Sequence, residues 1–449
     1  MSEREPGGRI RAGLVVEIAL FLVIAYSVIF TMRFLLVEGR LPQPYFYGSS
    51  DTLMDWISVA YWSNNPGAYY AYLSVYPPIA FDFLRIFSIH ACYRFDGSFA
   101  RDCDWLARVM LCAFYVFANV SVYLVYRKRD RRTALWRTGA IAIGLPMLYA
   151  MERGNLVIVC FAFFVLGHGR LLRSAWLRWL SLAISINFKP YLVATLLPQL
   201  VRRRWRWFEG AALAGLLVYV ISYAMEGAGS PMELISNIVG FSDQPVLLKF
   251  DGAYYTTTYQ LIMDILKSTF PLMMSTGSQP LEIMAILFPA MLRIGQIGVI
   301  GCFVGAAWRP HSVPLYRLTA MSTALLITST NAGGYSQIFL CFLVFLEPWR
   351  GPARVTALVT VYVLSISADY ALTPLATATE YSWLTNRLVT YNLFVQAGEL
   401  VRPGLLLLIE YALVAASVVD IVRARREEVS ADGRSRSGVE HMRDAGATL

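Results

Sequence analysis

The chain has 449 residues, of which 57% are hydrophobic and only 15% are charged, and its mean hydropathy is +0.51. A soluble globule with a charged surface does not have this composition, so the sequence predicts an all-α, polytopic integral membrane protein. The net charge of +9 comes from clusters that lie between alternate apolar segments, and we therefore expect membrane lipids and no nucleic acid as partners.

The first apolar segment, at about 13–36, is too long for a signal-peptide core and is followed by no small-residue cleavage site, so we expect it to remain as an anchor. Apolar stretches then recur as far as residue 422, which predicts a single transmembrane domain over 1–422. The segment 423–449 is highly charged and poor in apolar residues, and we expect a disordered cytoplasmic tail there.

Short loops rich in Lys and Arg stay in the cytoplasm, and their positions predict both termini inside and about twelve spans. The predicted spans are centred near residues 24, 117, 145, 162, 180, 195, 216, 295, 322, 341, 362 and 412. Three longer segments then face outside, at about 37–106, 226–282 and 374–402. The apolar segments between 138 and 200 have only about fourteen residues each, fewer than the roughly 20 that a full crossing needs. We therefore expect short broken helices there, either lining a cavity or joined by tight interfacial turns.

In the first external segment, Asp51 and Asp55 are four residues apart in the sequence SSDTLMDWI. If a helix begins at SSD, both carboxylates share one face, and Ser49, Ser50 or Asp51 can cap that helix. One interpretation is structural: one Asp is a cap and the other a solvated charge. The other interpretation is catalytic, because a carboxylate close to the membrane can act as a general base on a hydroxyl nucleophile.

Further polar residues interrupt apolar sequence on the same predicted side. In SVYPPIAF, Tyr76 precedes two prolines that fit the start of an amphipathic helix. In MERGN, Arg153 and Asn155 follow a short apolar segment, and Glu152 beside Arg153 either serves a site or only neutralises it. In INFKPY, Lys189 either binds a phosphate as a compact cation or snorkels to the interface.

The last of these polar segments is TNAGGYSQ, in which Asn331 and Tyr335 flank a glycine pair that permits close backbone approach. Paired glycines also serve as ordinary tight connections. Of the six cysteines, Cys92 and Cys103 can pair if their loop faces an oxidising compartment, and the spacing alone leaves this open.

Several classes of site are excluded by the sequence. It contains no Walker loop, no GxSxG, no HExxH and no dinucleotide-binding GxGxxG. Only one of the four histidines, His90, is expected outside, which argues against a histidine metal site or a Ser-His-Asp triad. We therefore predict no metal and no cofactor, with carboxylates carrying any proton transfer.

The order of these motifs resembles glycosyltransferase family 87: an external Asp, then YPP, then GN at a short helix, then KP before a basic cytoplasmic loop. These are polytopic GT-C enzymes that include polyprenol-phosphate-mannose-dependent α-mannosyltransferases. The resemblance covers about 51–206 and, more loosely, the GGY segment near 334. It implies a GT-C-type bundle and a polyprenyl-phosphate sugar donor, with a glycan or glycolipid as the external acceptor.

What the resemblance implies for this chain is transfer of mannose or a similar hexose with inversion. Asp51 or Asp55 would be the catalytic base, and Lys189 with Arg153 would bind the donor phosphate. Tyr76, Asn155, Asn331 and Tyr335 would border the substrates. Such chemistry favours the bacterial inner membrane, with the site on its extracytoplasmic side.

Two other functions remain open. A transporter or flippase also uses broken helices and charges at depth, although we find no inverted repeats in the sequence. A polymer ligase also handles lipid-linked sugars, and we would expect paired arginines or histidines in a large external loop, which 226–282 lacks.

Overall fold

The computed structural model describes residues 7–45, 48–242, 257–259, 278–329 and 332–446. Within this part of the chain, six helices are long and apolar enough to cross a membrane. They span Ala12–Glu38, Trp105–Arg129, Ala134–Arg153, Trp205–Glu226, Glu282–Trp308 and Ala397–Glu428. The third of these is made of two consecutive helices, Ala134–Ala142 and Leu145–Arg153. The protein is therefore a helical membrane protein, as the composition predicts.

The predicted count of about twelve spans is wrong for the described residues. Four of the predicted crossings fall on shorter apolar helices, at Val157–His168, Pro190–Val201, Gly334–Val344 and Pro352–Leu364. A helix rises about 1.5 Å per residue, so these helices are too short to cross a hydrocarbon core of about 30 Å. The basic clusters mark polar loops between apolar segments, but hydropathy alone does not show whether an apolar segment crosses the membrane or packs inside the protein.

The elements follow one another with short connections. In chain order the helices of the first half are α1 Gly7–Glu38, α2 Met54–Asn64, α3 Pro78–Ile86, α4 Gly97–Cys103, α5 Trp105–Arg129, α6 Ala134–Ala142, α7 Leu145–Arg153, α8 Val157–His168, α9 Ala175–Phe188, α10 Leu197–Val201, α11 Trp205–Glu226 and α12 Pro231–Ser242. Those of the second half are α13 Ser278–Trp308, α14 Leu315–Ser329, α15 Gln337–Val344, α16 Pro352–Leu364 and α17 Ala397–Gly446, with strands β1 Ala371–Ser382 and β2 Arg387–Gln396 before the last helix. Short 3₁₀ turns lie at His90–Arg94, Pro190–Leu196 and Gly334–Ser336.

Helix α8 lies at the centre of the packed region. Its sequence VIVCFAFFVLGH is apolar on every side, which is typical of a helix surrounded by protein, and most of its residues are fully buried. Phe161 and Phe164 pack edge-on against Phe339 of α15. The start of α8 is therefore fixed from several directions, and this matters because Asn155 lies just before it.

Buried ion pairs join the helices around this core. Arg137 of α6 donates to Glu17 of α1 over 2.6 Å, and the Tyr362 hydroxyl of α16 donates to the same carboxylate over 3.0 Å. Arg317 of α14 pairs in the same way with Glu347, over 2.6 Å. Buried charges are tolerated where a partner neutralises them, so these pairs fix the register of the helices against one another.

The segment 371–396 forms a hairpin of two antiparallel strands, which corrects the purely all-α prediction for this part of the chain. The register pairs Ser382 with Arg387 at the closed end, where Asn386 takes a left-handed φ of 52°. Along β2, Val389 and Tyr391 are buried while their neighbours are exposed. This alternation of β-branched and aromatic residues is the ordinary pattern of a half-buried strand, and it is readable in the sequence.

The segment 37–106 folds into α2, α3, the 90–94 turn and α4. Cys92 and Cys103 form a disulfide, with their Cα atoms 5.6 Å apart, which settles the pairing that the spacing left open. At the other end of the chain, α17 continues as far as Gly446 and so includes most of the segment for which the composition predicts disorder.

Candidate functional site

Asp51 and Asp55 converge on one guanidinium. Arg153 donates from Nη1 to Oδ2 of Asp51 and from Nη2 to Oδ1 of Asp55. The Asp51, Asp55 and Arg153 side chains are 29%, 20% and 12% exposed, so neither carboxylate is a solvated surface charge. The structural interpretation of this pair, one cap and one surface charge, is therefore wrong.

The predicted helix start is also wrong. Helix α2 begins at Met54 and is capped by no side chain, so Asp51 precedes the helix in a turn. Leu53 takes a left-handed φ of 64°, which reverses the chain between the two aspartates. Both carboxylates nevertheless reach the same cation, because Asp55 lies in the first turn of α2 directly after that reversal.

The break at ERGN positions Arg153 against this turn. Helix α7 ends at Arg153 and is capped by Gly154, whose φ is 63°. A Cβ at Gly154 would lie 2.9 Å from the carbonyl oxygen of Leu53. The Leu53 amide donates to the carbonyl of Glu152 over 2.7 Å, and the Thr52 hydroxyl donates to the Glu152 carboxylate over 2.9 Å. Glu152 therefore holds the Asp51 turn while Arg153 pairs with the two aspartates, so the alternative in which Glu152 and Arg153 only neutralise each other does not hold.

Asn155 fixes the second aspartate. Its amide Nδ2 donates to Oδ2 of Asp55 over 2.7 Å, while its Oδ1 accepts from the backbone amide of Val157 over 2.9 Å. Asn155 is fully buried at the start of α8, so its amide is held in one orientation. Both oxygens of Asp55 are thus engaged, one by Arg153 and one by Asn155.

Asp51 is held less completely. Arg153 engages its Oδ2, and within the described part of the chain no hydrogen-bond donor reaches Oδ1. Burial raises the pKa of the Asp51 carboxyl, Arg153 opposes that shift, and the negative charge of Asp55 adds to it. A carboxylate with one free oxygen and a raised pKa is a better proton acceptor than one with both oxygens bonded.

Lys189 lies between two aromatic rings. Helix α9 ends at Phe188, and the Lys189 Nζ lies 5.2 Å from the ring centroid of Tyr76 and 5.4 Å from that of Tyr335. Tyr335 is itself stacked on Tyr149 at 5.8 Å. In the part of the chain that the structure describes, Lys189 forms no salt bridge, so the rings hold the ammonium without neutralising its charge.

Most of the predicted site residues lie together. Burial raises the pKa of the Tyr76 hydroxyl and the charge of Asp55 raises it further, so Tyr76 lies within electrostatic reach of Asp55, and its ring contacts Lys189. The residues that the structure brings into this one site are Asp51, Asp55, Tyr76, Arg153, Asn155, Lys189 and Tyr335. Asn331 lies outside the described residues. Among the described residues, no group of three or more His, Cys, Asp or Glu side chains is placed to hold a metal ion.

The structure adds a cleft that the sequence did not indicate. It has a volume of about 660 Å³ and lies between the Asp51 turn, α4 and the closed end of the hairpin. Its lining residues are Ser50, Asp51, Met54, Ser98, Arg101, Asp102, Tyr381, Ser382, Trp383 and Asn386. The hairpin residues lie some 330 positions from Asp51 in the sequence, and no motif linked the two segments.

No family model, curated protein or solved structure matches this chain. Its function must therefore be argued from the side chains of this site.

Proposed function

We propose that this protein is a membrane glycosyltransferase of the GT-C type. It would move a monosaccharide, mannose or a similar hexose, from a polyprenyl-phosphate donor to a glycan or glycolipid acceptor. The observation that carries the proposal is the pairing of two functions in one site. Asp51, which has one oxygen without a donor in the described part of the chain, shares the Arg153 guanidinium with Asp55. Asp55 lies within electrostatic reach of Lys189. Among the described residues, Lys189 forms no salt bridge, and it lies against two tyrosine rings.

The reaction is a single inverting displacement. Asp51 takes the proton from an acceptor hydroxyl as that oxygen attacks the anomeric carbon of the donor. The bond between the anomeric carbon and the phosphate oxygen breaks, and polyprenyl phosphate leaves with the electron pair. Lys189 stabilises the negative charge of the departing phosphate, because its ammonium is a compact charge that is free to bind an anion.

Geometry favours Asp51 over Asp55 as the base. Both oxygens of Asp55 are engaged by Arg153 and Asn155, and a proton acceptor needs a lone pair that faces the substrate. Asp55 and Asn155 then act as positioning residues that keep the Arg153 guanidinium between the two carboxylates. Arg153 would reach the phosphate only by leaving these carboxylates, so in this site Lys189 is the primary phosphate ligand. Tyr76 and Tyr335 orient it.

The Cys92–Cys103 disulfide supports an extracytoplasmic site. Disulfides persist in oxidising compartments, and this one lies in the same segment as Asp51. We propose the bacterial inner membrane, with the site on its outer side, where lipid-linked sugars meet acceptors from the cell envelope.

The test is sugar transfer by the whole protein in lipid nanodiscs. Synthetic polyprenyl-phosphate mannose, glucose and galactose would be supplied with a mixture of envelope glycolipids. Mass spectrometry would detect free polyprenyl phosphate and a newly formed glycoside, and NMR would report its anomeric configuration. We expect transfer with inversion. The proposal fails if no donor is consumed by the wild-type protein or if Asp51→Asn and Asp55→Asn both retain full transfer. Asp130→Asn, an exposed residue in the α5–α6 connection, is the matched control.

A further inference from the structure

The cleft beside Asp51 is lined by two kinds of side chain. Asp102, Asn386, Ser50 and Ser98 offer acceptors and donors of hydrogen bonds, and Tyr381 and Trp383 offer aromatic surface. Tyr381 is 65% exposed, so much of its ring is free to contact a ligand. Carboxylates, amides and hydroxyls bind sugar hydroxyls, and aromatic rings pack against the apolar faces of sugar rings.

The walls of the cleft are fixed to each other. The Ser50 hydroxyl donates to Glu380 of β1 over 3.2 Å, and the Trp383 amide donates to the carbonyl of Ser49 over 3.1 Å. These bonds attach the hairpin to the turn that carries Asp51. The hairpin wall is therefore held in position relative to Asp51 before any ligand binds.

Trp383 is held from a second direction. Its indole Nε1 donates to Asp102 of α4 over 2.8 Å, and the guanidinium of Arg101 lies 5.2 Å from its ring centroid. Arg101 itself donates to the backbone carbonyls of Ser50 and Thr52, over 2.6 and 3.0 Å. The Arg101 guanidinium is thus already hydrogen-bonded within the protein. The cleft is therefore a poor site for an anionic ligand and a suitable one for a neutral ligand.

We infer that this cleft binds the acceptor, as the neutral hexose end of a glycan or glycolipid, with one of its hydroxyl groups directed at Oδ1 of Asp51. The inference rests on the proposed function and deepens it, because the cleft is lined by Asp51 and not by Lys189, so the acceptor has a site distinct from that of the donor phosphate. The hairpin is then a substrate-binding element that selects the acceptor.

The experiment measures binding of a sugar without any donor. Whole protein in nanodiscs is titrated with methyl α-mannoside, methyl α-glucoside and methyl α-galactoside, and saturation-transfer NMR reports contact. We expect at least one of the three to bind the wild-type protein. We expect Tyr381→Ala and Trp383→Ala to weaken that binding roughly tenfold, as loss of a central aromatic contact does. Leu388→Ala, an exposed hairpin residue that does not line the cleft, should bind as the wild type does.

Trp383→Ala also removes the bond to Asp102 and can loosen the hairpin, so Tyr381→Ala decides the test if Trp383→Ala does not fold. Binding of none of the three hexosides overturns the inference, and so does unchanged binding in Tyr381→Ala. The proposed function fails separately: hexoside binding in the cleft without sugar transfer from any donor leaves the cleft as a sugar site and removes the transferase.

Discussion

The Asn155 amide donates a hydrogen bond to Oδ2 of Asp55 over 2.7 Å. This bond distinguishes two aspartates that look equivalent in the sequence. It occupies the oxygen of Asp55 that Arg153 leaves free, whereas Oδ1 of Asp51, a residue that lines the cleft, has no donor in the described part of the chain. A single buried amide therefore divides the pair into a positioning carboxylate and a candidate base.

Removing the Asn155 amide tests this division. In Asn155→Leu, Oδ2 of Asp55 loses its donor, and an unsatisfied buried acceptor costs about 1 to 3 kcal/mol. We expect the transfer rate to fall because Asp55 is no longer fixed on both oxygens and so no longer holds the Arg153 guanidinium in place. Asn155→Asp should also lower the transfer rate, because it places a third carboxylate beside Asp51 and Asp55. Transfer rates and thermal unfolding of both variants check this. Wild-type transfer in Asn155→Leu would show that the amide has no positioning role.

Lys189 is expected to act on the donor and not on the acceptor. Lys189→Met keeps the length of the side chain and removes its charge, so the affinity for polyprenyl phosphate should fall about tenfold to a hundredfold. Competition of free polyprenyl phosphate with a labelled donor measures the effect. Lys128→Met, at the exposed end of α5, is the control. If affinity for polyprenyl phosphate is unchanged in Lys189→Met, the lysine snorkels and does not bind the donor.

Gly154 is expected to tolerate no side chain. Its φ of 63° disfavours any other residue by about 1 to 2 kcal/mol, and an added Cβ would also lie 2.9 Å from the Leu53 carbonyl. Gly154→Ala should therefore lower the thermal stability and displace Arg153 from the carboxylates. Gly301→Ala is the matched control, because nothing lies within 4 Å of its added Cβ. Equal unfolding temperatures in the two variants would contradict the close approach of α7 to the Asp51 turn.

The rate of transfer should depend on pH through Asp51. Burial raises the pKa of this carboxyl, and the base must be ionised to accept a proton. Activity is therefore full above the raised pKa and is lost as the pH falls through it, at a higher pH than an exposed aspartate would show. The pH profile of kcat measures this. Asp51→Glu should shift the acid limb, and an acid limb that is unchanged in that variant would assign the titration to another group.

Two ion pairs of different burial should contribute differently to stability. Glu17→Ala leaves Arg137 buried without its carboxylate, and breaking such a pair costs about 3 to 5 kcal/mol. Glu428→Ala removes the partner of Arg309 at a position that is 63% exposed, where a pair is worth about 0 to 1 kcal/mol. Thermal unfolding in nanodiscs compares the two, and similar losses in both variants would contradict the buried network that joins α1, α6 and α16.

Much of the site was predictable because its residues break a hydrophobic pattern. Asp51, Arg153 and Lys189 stand out in apolar sequence, and a charge near the membrane needs a partner or a function. Which residues pair was not predictable. The Asp51–Arg153 contact joins positions about a hundred residues apart, and only the close approach at Gly154 brings them together.

The number of spans and the hairpin were missed for different reasons. Hydropathy does not distinguish a crossing helix from a buried one, and α8 is as apolar as any span while having only 12 residues. The hairpin does carry a local sequence signal, because the alternation in RLVTYNLFVQ and the turn at Asn386 are typical of two paired strands. Its contact with the Asp51 turn, through Glu380 and Trp383, has no local sequence signal.

The most direct measurement of the central claim is single-turnover transfer by Asp51→Asn and Asp55→Asn, with donor binding measured on the same samples. If Asp51 is the base, Asp51→Asn loses about 10² to 10⁴ in the rate of transfer while its affinity for the donor stays at the wild-type value. Asp55→Asn should lose less, because Arg153 still pairs with Asp51. Transfer by Asp51→Asn at the wild-type rate would contradict the account.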